Sequence, residues 1–270
     1  MEIQYTSDLH IDTWAVGTSF NTFITPKSPF LVIAGDICSV WNPLYTSFLN
    51  WCSWNWYTVI LVAGNHEYDS TEGRTIEETN RQIQSIAAMF GNIVFLQDGA
   101  SYVIPGTRIR FVGATLWSNI DRAIWDEGYA KKHDCSHIFT AKGRLHPSDI
   151  VTLHKTHVEA LRYACRPSLV GLPETLIVVT HHIPTKQLLE PQYKGEKWSS
   201  WYASDCDGLF TSNISLWICG HGHRAAKYKP ASGPWVVMNA RGYNKEKELR
   251  RTVDVYNPSA THTVRVARSI

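Results

Sequence analysis

Short apolar segments that each stop at a polar, glycine-containing corner constrain this chain more than any other feature of its sequence. Seven of them are rich in β-branched and large apolar residues and show no polar–apolar alternation, which is typical of strands buried on both faces. These predicted strands are residues 3–6, 30–34, 58–63, 93–96, 176–180, 216–219 and 235–238. Such a pattern predicts an α/β fold built around buried sheets.

Helical spacing of apolar residues appears between some of these strands. Residues 74–90 and 148–164 are predicted helices, so the first half of the chain is interpreted as repeated strand–helix–strand units. A hairpin is predicted over residues 101–116, and further strand-like segments are predicted at 251–256 and 262–267. We expect one domain over residues 1–270, with a cap or insertion at about 117–146, where periodicity fades.

Five of the predicted strands are followed directly by residues that can bind a metal ion. Asp36 lies 28 residues after Asp8, and Asn65 lies 29 residues after Asp36, about the length of one strand–helix–strand repeat. Equal intervals bring these three corners to one edge of a sheet, where such folds bind their ligands. The predicted metal ligands are Asp8, His10, Asp36, Asn65, His181, His221 and His223.

This set combines oxygen and nitrogen donors and contains no thiolate. Seven donors are too many for one catalytic zinc ion with an open position, but they suit two divalent ions about 3.5–4 Å apart. Asp36 is the candidate for a carboxylate that bridges the two ions. Two carboxylates against two dications leave a formal excess of positive charge, which attracts phosphate and acidifies a bridging water. The donors are compatible with Mn, Fe, Zn or Ni.

At these residues the sequence resembles the calcineurin-like metallophosphoesterase superfamily, whose ordered signature is DxH, GD, GNH[DE], a histidine at a strand end, and GHxH. The resemblance spans residues 1–243 and is greatest to small bacterial and phage members. It implies a four-layer sandwich of two mixed β-sheets flanked by helices. It also implies hydrolysis of phosphate esters by a metal-activated bridging hydroxide.

The resemblance also implies a role for each matching residue. One metal would be held by Asp8, His10 and His223, and the other by Asn65, His181 and His221, with Asp36 between them. The histidine at position 66 matches the family residue that faces the leaving group as general acid, while Asn65 and His66 would also contact substrate. Because two histidines follow the predicted strand 176–180, either His181 or His182 fits the single ligand expected there, and we favour His181.

The chain departs from the Ser/Thr protein phosphatase branch of this superfamily. There the GD block runs on into an Asp-Arg pair that clamps phosphate, whereas here Gly35-Asp36 continues as Ile-Cys-Ser-Val over residues 37–40. Activity on phosphoproteins is therefore not expected. Arg224 and Arg241 are the candidate substitute cations, with Arg224 the proposed substrate contact.

The remaining histidines and aromatic residues lack this context. We interpret His133, His137, His146, His154, His157 and His262 as surface or hydrogen-bonded core residues. The cluster of Trp41, Trp51, Trp54 and Trp56 is interpreted as core packing or a covering layer rather than a base-stacking platform. For Tyr193, Trp198, Trp201 and Tyr202, which follow the predicted metal ligand His181, a substrate wall and simple packing both remain open.

Composition narrows the choice of partners. With 26 Lys and Arg against 24 Asp and Glu, the formal charge of +2 does not indicate a stable nucleic-acid partner. Six cysteines without regular spacing, no signal-like N-terminus and no long apolar run predict a cytoplasmic protein away from membranes. The substrate is therefore expected to be a small phosphorylated molecule.

Several activities fit this expectation. A phosphodiesterase acting on nucleotide-like or cyclic-nucleotide substrates is favoured, and a general phosphomonoesterase is the alternative. A nuclease is disfavoured because the sequence contains no additional DNA-binding domain or basic arm. A binding scaffold that has lost turnover is also disfavoured, because all the expected metal-binding and leaving-group histidines are present.

Overall fold

Two β-sheets form the centre of the molecule in the computed structural model, which describes residues 1–167, 174–244 and 255–264. The first sheet has the strand order β13-β1-β2-β3-β4, in which β1 to β4 are parallel and β13 pairs antiparallel with β1. Its strands are β1 (Glu2–Thr6), β2 (Phe30–Ala34), β3 (Thr58–Val62), β4 (Ile93–Phe95) and β13 (Thr261–Thr263).

The second sheet contains six strands in the order β11-β12-β10-β9-β6-β5. The four central strands run parallel, and β11 and β5 are antiparallel edge strands. The hairpin predicted at 101–116 is the β5–β6 pair. The strands are β5 (Ala100–Val103), β6 (Ile109–Ala114), β9 (Thr175–Thr180), β10 (Ile214–Cys219), β11 (Ala225–Tyr228) and β12 (Trp235–Asn239).

Three long helices cover these sheets: α1 (Pro43–Asn55), α2 (Ile76–Ala88) and α5 (Pro147–Ala164). Capping explains where the first two begin. The side chain of Asn42 accepts a hydrogen bond from Leu44 N at the start of α1, and Thr75 and Glu78 form a reciprocal capping box at the start of α2. The short helices are α3 (Trp125–Lys131), α4 (His133–His137) and α6 (Ser199–Tyr202).

The buried side chains form three apolar layers. These layers separate the four layers of secondary structure, which are the two sheets and the helices or loops on their outer faces. Along β2, Leu31 and Ile33 pack with α1 and α2, whereas Val32 and Ala34 face the other sheet. The outer face of the second sheet packs against α5 and residues 183–210. The predicted sandwich of two mixed sheets flanked by helices is confirmed.

The region between β1 and β2 differs from the prediction. It contains no helix of the expected strand–helix–strand unit, only the 3₁₀ turns Ile11–Thr13 and Phe20–Thr22. The segment lacks helical periodicity and is interrupted by Gly17 and Pro26, which disfavour a continuous helix. Conversely, α1 occupies the tryptophan-rich stretch that carried no helix prediction. It buries Tyr45, Phe48, Leu49 and Cys52, whose spacing is helical.

Two tryptophans of that stretch have different surroundings. Trp56 is buried and its Nε1 donates to Gln4 Oε1, whereas Trp54 is 83% exposed. The strand predicted at 262–267 overlaps β13, while residues 251–254 and 265–267 of the two C-terminal predictions lie outside the described residues.

No helix in the described ranges has the length and apolar character needed to cross a membrane.

The predicted insertion forms short helices and a small ribbon of its own. After β6, residues 117–146 form α3, α4 and a two-stranded ribbon of β7 (Phe139–Thr140) and β8 (Gly143–Arg144). An isolated bridge between Thr75 and Phe139 joins the ribbon to the start of α2. The segment therefore lies beside the first sheet's helices, and its short helices lead toward the edge where β1 to β3 end.

Candidate metal centre

The corners that follow five parallel strands meet at one edge of the two sheets. Asp8 N donates to Gly35 O, which joins the ends of β1 and β2. The two sheets are joined by His221 N, which donates to both carboxylate oxygens of Asp8 at 3.0 and 2.9 Å. The strand ends predicted from sequence to converge thus lie within hydrogen-bonding distance of one another.

Backbone strain is concentrated at this edge. A positive φ is uncommon for residues other than glycine and clusters at functional sites. Five of the seven predicted ligands have one: Asp8 (52°), His10 (42°), Asp36 (56°), His221 (66°) and His223 (46°). The strand ends thus turn sharply and direct these side chains to a common point.

The side chains form two adjoining groups. In one group, His10 Nε2 lies 3.1 Å from His223 Nε2, and His223 Nε2 lies 3.4 Å from Asp8 Oδ1. In the other, His181 Nε2 lies 3.0 Å from Asn65 Oδ1 and 3.2 Å from His221 Nδ1. This grouping is the same as the division into two metal sites that the family resemblance implies.

Asp36 lies between the two groups. Its Oδ2 is 3.4 Å from His181 Nε2 and 3.8 Å from His10 Nε2, and within the described chain this buried atom makes no hydrogen bond. Its Oδ1, by contrast, accepts a hydrogen bond from His66 N. One oxygen is thus fixed by the backbone, and the other faces nitrogen atoms from both groups.

The ionisation of three of these side chains, His10, His221 and Asp36, fits divalent cations. Burial holds the pKa of His10 and of His221 well below 6.5, which leaves neutral imidazoles with a lone pair available for a metal. Burial alone would raise the pKa of Asp36, but the neighbouring histidines, His181 first, hold it well below 3.8. A buried anion surrounded by imidazole nitrogens is a donor set that suits Zn, Mn or Fe.

The two candidates His181 and His182 are placed differently. His181 Nδ1 donates to Ala34 O at 2.8 Å, which directs Nε2 at Asp36 and Asn65. His182 stacks on the His221 ring at 4.1 Å between centroids, and its Nδ1 lies 2.8 Å from Ser118 Oγ. His181 Nε2 thus faces Asp36 and Asn65, while ligand atoms of His181, His182 and His221 all lie within 4.8 Å of one another.

Glu67 is a buried carboxylate that received no role from the sequence. Its two oxygens accept hydrogen bonds from three backbone amides, those of Gly64, Asp36 and Ile37. Burial and the nearby Asp36 raise the pKa of Glu67 to about 8. Because these three amides belong to two corners, Glu67 fixes the second and third corners relative to each other.

His66 lies at the rim of the cluster, with its ring centroid 4.8 Å from that of His10. Its Nδ1 donates to Asp69 Oδ2 at 2.8 Å, and the same oxygen accepts from His133 Nε2 at 2.9 Å. Its Nε2 lies 3.0 Å from Tyr243 Oη. Burial lowers the pKa of His66, but Asp36 and Asp69 outweigh this effect and raise it to about 10.

Asp69 and His133 are site residues that sequence reasoning missed. His133 lies 67 residues from His66 in a segment without periodicity, and no motif marks it. Asp69 follows His66 by three residues, which is the spacing of one 3₁₀ turn. This spacing could have predicted the contact between the two side chains. The interpretation of His133 as a surface or core residue is incomplete, because its ring reaches the rim of the site.

The two candidate cations point elsewhere. Arg224 lines a pocket of about 650 Å³ with Lys194 and Lys227, and its Nη1 donates to Leu188 O. The described lining of that pocket includes none of the seven predicted ligands. Arg241 is buried, with its guanidinium 4.2 Å from the Trp14 ring and a hydrogen bond to Thr22 O.

The aromatic residues after His181 divide between packing and the site. Trp201 is buried in the core, whereas Tyr193 is exposed. The ring of Tyr202 is partly exposed and lies 5.5 Å from that of His221. Of the described aromatic residues in this segment, Tyr202 is therefore the one placed beside a predicted ligand and open to solvent.

A four-layer α/β sandwich that gathers carboxylate, amide and imidazole donors at one sheet edge defines a metal-dependent hydrolase. The model of the calcineurin-like phosphoesterase family matches residues 1–225. The chain belongs to this family and is a metal-dependent phosphoester hydrolase.

Two relatives match nearly the whole chain. This chain is 26% identical, over 270 aligned residues, to uncharacterized protein L509 of Acanthamoeba polyphaga mimivirus. The alignment covers 91% of this chain and 92% of that protein. The crystal structure of a phosphopantetheinyl hydrolase from Mycobacterium tuberculosis is similar, with a TM-score of 0.69, 18% identity and 93% of each chain covered. The second likeness establishes a shared fold.

Proposed function

We propose that this protein is a phosphodiesterase that hydrolyses small nucleotide-like or cyclic-nucleotide substrates at a dinuclear metal centre. The observation that carries the proposal is the position of Asp36, whose unbonded Oδ2 faces imidazole nitrogens of both side-chain groups. One ion would be held by Asp8, His10 and His223 and the other by Asn65, His181 and His221. When bound, the ions supply Lewis acidity toward the phosphoryl group and acidify a shared water.

His66 serves the leaving group in this proposal. Its Nδ1 is engaged by Asp69, so the proton available for transfer is on Nε2, the nitrogen beside Tyr243. Asp69 therefore fixes the tautomer and the orientation of the ring. A histidine in this position donates its Nε2 proton to the departing alkoxide. General acid catalysis of this kind typically raises the rate by about 10²–10⁴-fold.

The two candidate guanidinium groups are directed away from the site, which favours a diester over a monoester. A phosphomonoester brings a second negative charge, which guanidinium groups often neutralise in pairs of hydrogen bonds. Here the Arg241 guanidinium lies among the Trp14 and Phe23 rings, and Arg224 Nη1 is directed at Leu188 O. A diester carries a single negative charge and therefore does not require these guanidinium groups.

The test is an assay of purified protein whose bound metals have been counted, supplied with Mn²⁺. The substrates are bis-p-nitrophenyl phosphate, p-nitrophenyl phosphate and a 3′,5′-cyclic nucleotide. We expect a higher kcat/KM for the diesters than for the monoester. A preference for the monoester would instead support the phosphomonoesterase alternative, and metal binding without turnover of any substrate would support a silent scaffold.

Two variants test the assigned roles. Asp36→Asn removes the charge that both ion sites share, and we expect kcat/KM to fall by more than the ~10–100-fold typical of groups that lie behind the ligands. His66→Ala should reduce hydrolysis of the cyclic nucleotide far more than that of the nitrophenyl diester, because nitrophenolate leaves without a proton. Full activity of either folded variant would contradict its role, and circular dichroism checks the fold.

A further inference from the structure

One carboxylate of the predicted insertion reaches the metal centre. Asp134, in α4, is 5% exposed and makes two hydrogen bonds with its two oxygens. Its Oδ1 accepts from Asn65 Nδ2 at 3.0 Å, and its Oδ2 accepts from Trp201 Nε1 at 3.1 Å. The residue thus links a predicted metal ligand to a buried tryptophan 67 positions further along the chain.

The first of these contacts decides which end of the Asn65 side chain faces the histidines. A carboxamide has one acceptor end and one donor end, and only its oxygen can bind a metal ion. A carboxylate accepts hydrogen bonds, so it selects the NH₂ end of the amide. With Nδ2 on Asp134, Asn65 Oδ1 is turned to His181 Nε2, 3.0 Å away.

We propose that Asp134 is a positioning residue, which orients the Asn65 carboxamide so that its oxygen is presented to the second metal ion. This inference rests on the proposed dinuclear centre and adds a residue from outside the signature motifs. Asp134 acts through Asn65 and has no contact with substrate in this scheme. Outer groups of this kind orient metal ligands, and losing one typically weakens metal binding by about 10–100-fold.

The neighbourhood of Asp134 holds its carboxylate in place. Trp201 is buried against the core, and its indole N–H occupies the second oxygen of Asp134. Lys132 lies over three rings of the loop after His181, at 4.4 Å from Trp198, 5.4 Å from Trp201 and 4.8 Å from Tyr202. Such cation–π contacts are attractive, and here they dock the residue two positions before Asp134 onto that loop.

The same short stretch contacts the leaving-group side of the site. His133 donates to Asp69, which also accepts from His66. Consecutive residues of the insertion thus support two different predicted functions: His133 the orientation of His66, and Asp134 that of Asn65. In this scheme the role of the insertion is to orient residues of the metal centre.

The experiment compares Asp134→Asn with a matched control, Asp126→Asn. Both replace a carboxylate of the insertion by an isosteric amide, but Asp126 is exposed. An amide at position 134 accepts and donates, so it no longer selects one orientation of Asn65. Metal-free protein is titrated with Mn²⁺ by calorimetry and by electron paramagnetic resonance. We expect two sites in the wild type and the control, and about 10–100-fold weaker binding at one of the two sites in Asp134→Asn.

A swap of the two residues keeps the test independent of folding defects. In the double variant Asn65→Asp/Asp134→Asn, the amide at 134 donates to the new carboxylate at 65, whose other oxygen remains available to the metal. We expect this double variant to recover binding at the weakened site, while Asn65→Asp alone places two buried carboxylates together and binds poorly. Recovery distinguishes orientation of a ligand from general support of the fold.

Two results would overturn the inference. One is an Mn²⁺ isotherm of Asp134→Asn identical to that of the wild type, and the other is weak binding in the swapped variant despite a native circular dichroism spectrum. The wild-type protein separates this inference from the proposed function. Two bound ions without phosphodiester hydrolysis would refute the function and leave the role of Asp134 standing, whereas failure to bind a second ion would refute both.

Discussion

The two sheets contribute different halves of the candidate metal centre. The first sheet provides all three oxygen donors, Asp8, Asp36 and Asn65, and one imidazole, His10, at the ends of β1, β2 and β3. The second provides His181 and His221, at the ends of β9 and β10. Both halves lie at carboxyl ends of parallel strands, yet they are held in place by different kinds of contact.

The carboxylates are held by backbone amides. Asp8 accepts two hydrogen bonds from His221 N, and Asp36 accepts one from His66 N. Backbone donors are fixed once the strands and turns have formed, so they set a carboxylate without help from distant side chains. Hydrogen bonds from these amides to a charged carboxylate are strong. They leave the side chain little rotational freedom.

The imidazole of His221 depends mainly on packing, whereas that of His181 is fixed by a hydrogen bond to Ala34 O. His221 stacks on His182, which lies 5.4 Å from the Trp117 ring and contacts Ser118 Oγ. Trp117 is in turn held from α5, because His154 Nδ1 contacts the carbonyl oxygens of Leu116 and Trp117. The orientation of one ring thus depends on side chains from several segments. The comparison predicts that changes behind the carboxylates act sharply, whereas changes behind the imidazoles act gradually.

The largest effect is expected from Gly64→Ala. A Cβ at this position would lie 2.1 Å from Asp36 Oδ1 and 2.7 Å from Asp36 N, both too close. Asp36 must therefore move, and displacing a reacting group by about 1 Å costs on the order of 100-fold in rate. The measurement is kcat/KM with a nitrophenyl diester, together with the number of bound Mn²⁺ ions.

Gly91→Ala is the control for this variant, because nothing lies within 4 Å of its added Cβ. It should retain wild-type activity and metal content. Normal diester hydrolysis by Gly64→Ala would show that the oxygen half tolerates displacement, and the contrast between the two halves would then be lost.

An intermediate effect is expected from His182→Phe. Phenylalanine keeps an aromatic ring against His221 but removes the contact of Nδ1 with Ser118. If His182 supports a ligand rather than binding a metal, both ions remain and kcat/KM falls by about 10-fold, the lower end of the range for such groups. Metal analysis and kinetics on the same preparation measure both quantities.

Ser118→Ala gives the matched comparison, because it removes the other partner of the same hydrogen bond. We expect its effect on kcat/KM to be no larger than that of His182→Phe. Loss of one metal ion from His182→Phe, with both retained in Ser118→Ala, would identify His182 as the ligand in place of His181.

The smallest effect is expected at Asp98. It pairs with His157, whose Nδ1 accepts from Leu116 N, so it lies at the far end of the contacts behind His221. Burial opposes ionisation of Asp98, but the hydrogen bond from His157 Nε2, at 2.8 Å, outweighs it and lowers its pKa below 3.8. The stabilisation is therefore present above the unfolded-state pKa near 3.8 and is lost as pH falls through the lower folded-state value.

Asp98→Asn should lower the melting temperature at pH 7 by about 1–3 °C, because a half-exposed pair is screened by solvent and contributes about 0.2–1 kcal/mol. The difference between variant and wild type should shrink as the pH falls below 3.8 and through the lower folded-state pKa of Asp98. Thermal melts across this pH range provide the measurement. A difference that grows toward low pH would contradict the assigned direction.

Much of the site followed from the sequence because strand ends are local features. The corners at Asp8, Asp36 and Asn65 could be predicted because an apolar strand of known length must end, and parallel strands end at one edge. The same reasoning failed between β1 and β2, where two 3₁₀ turns replace the expected helix. It also missed α1, whose tryptophans obscured the spacing of Tyr45, Phe48, Leu49 and Cys52.

What the sequence determined by itself was the fold class, the corners and the chemical types of the donors, since these depend on periodicity and on residues adjacent in the chain. Only the tertiary structure placed Asp134 on Asn65, His133 on Asp69 and His182 on His221. The first two of these contacts join residues separated by more than 60 positions, and the third joins two strand ends. No local period encodes such meetings, because they are set by how separately formed segments pack against one another.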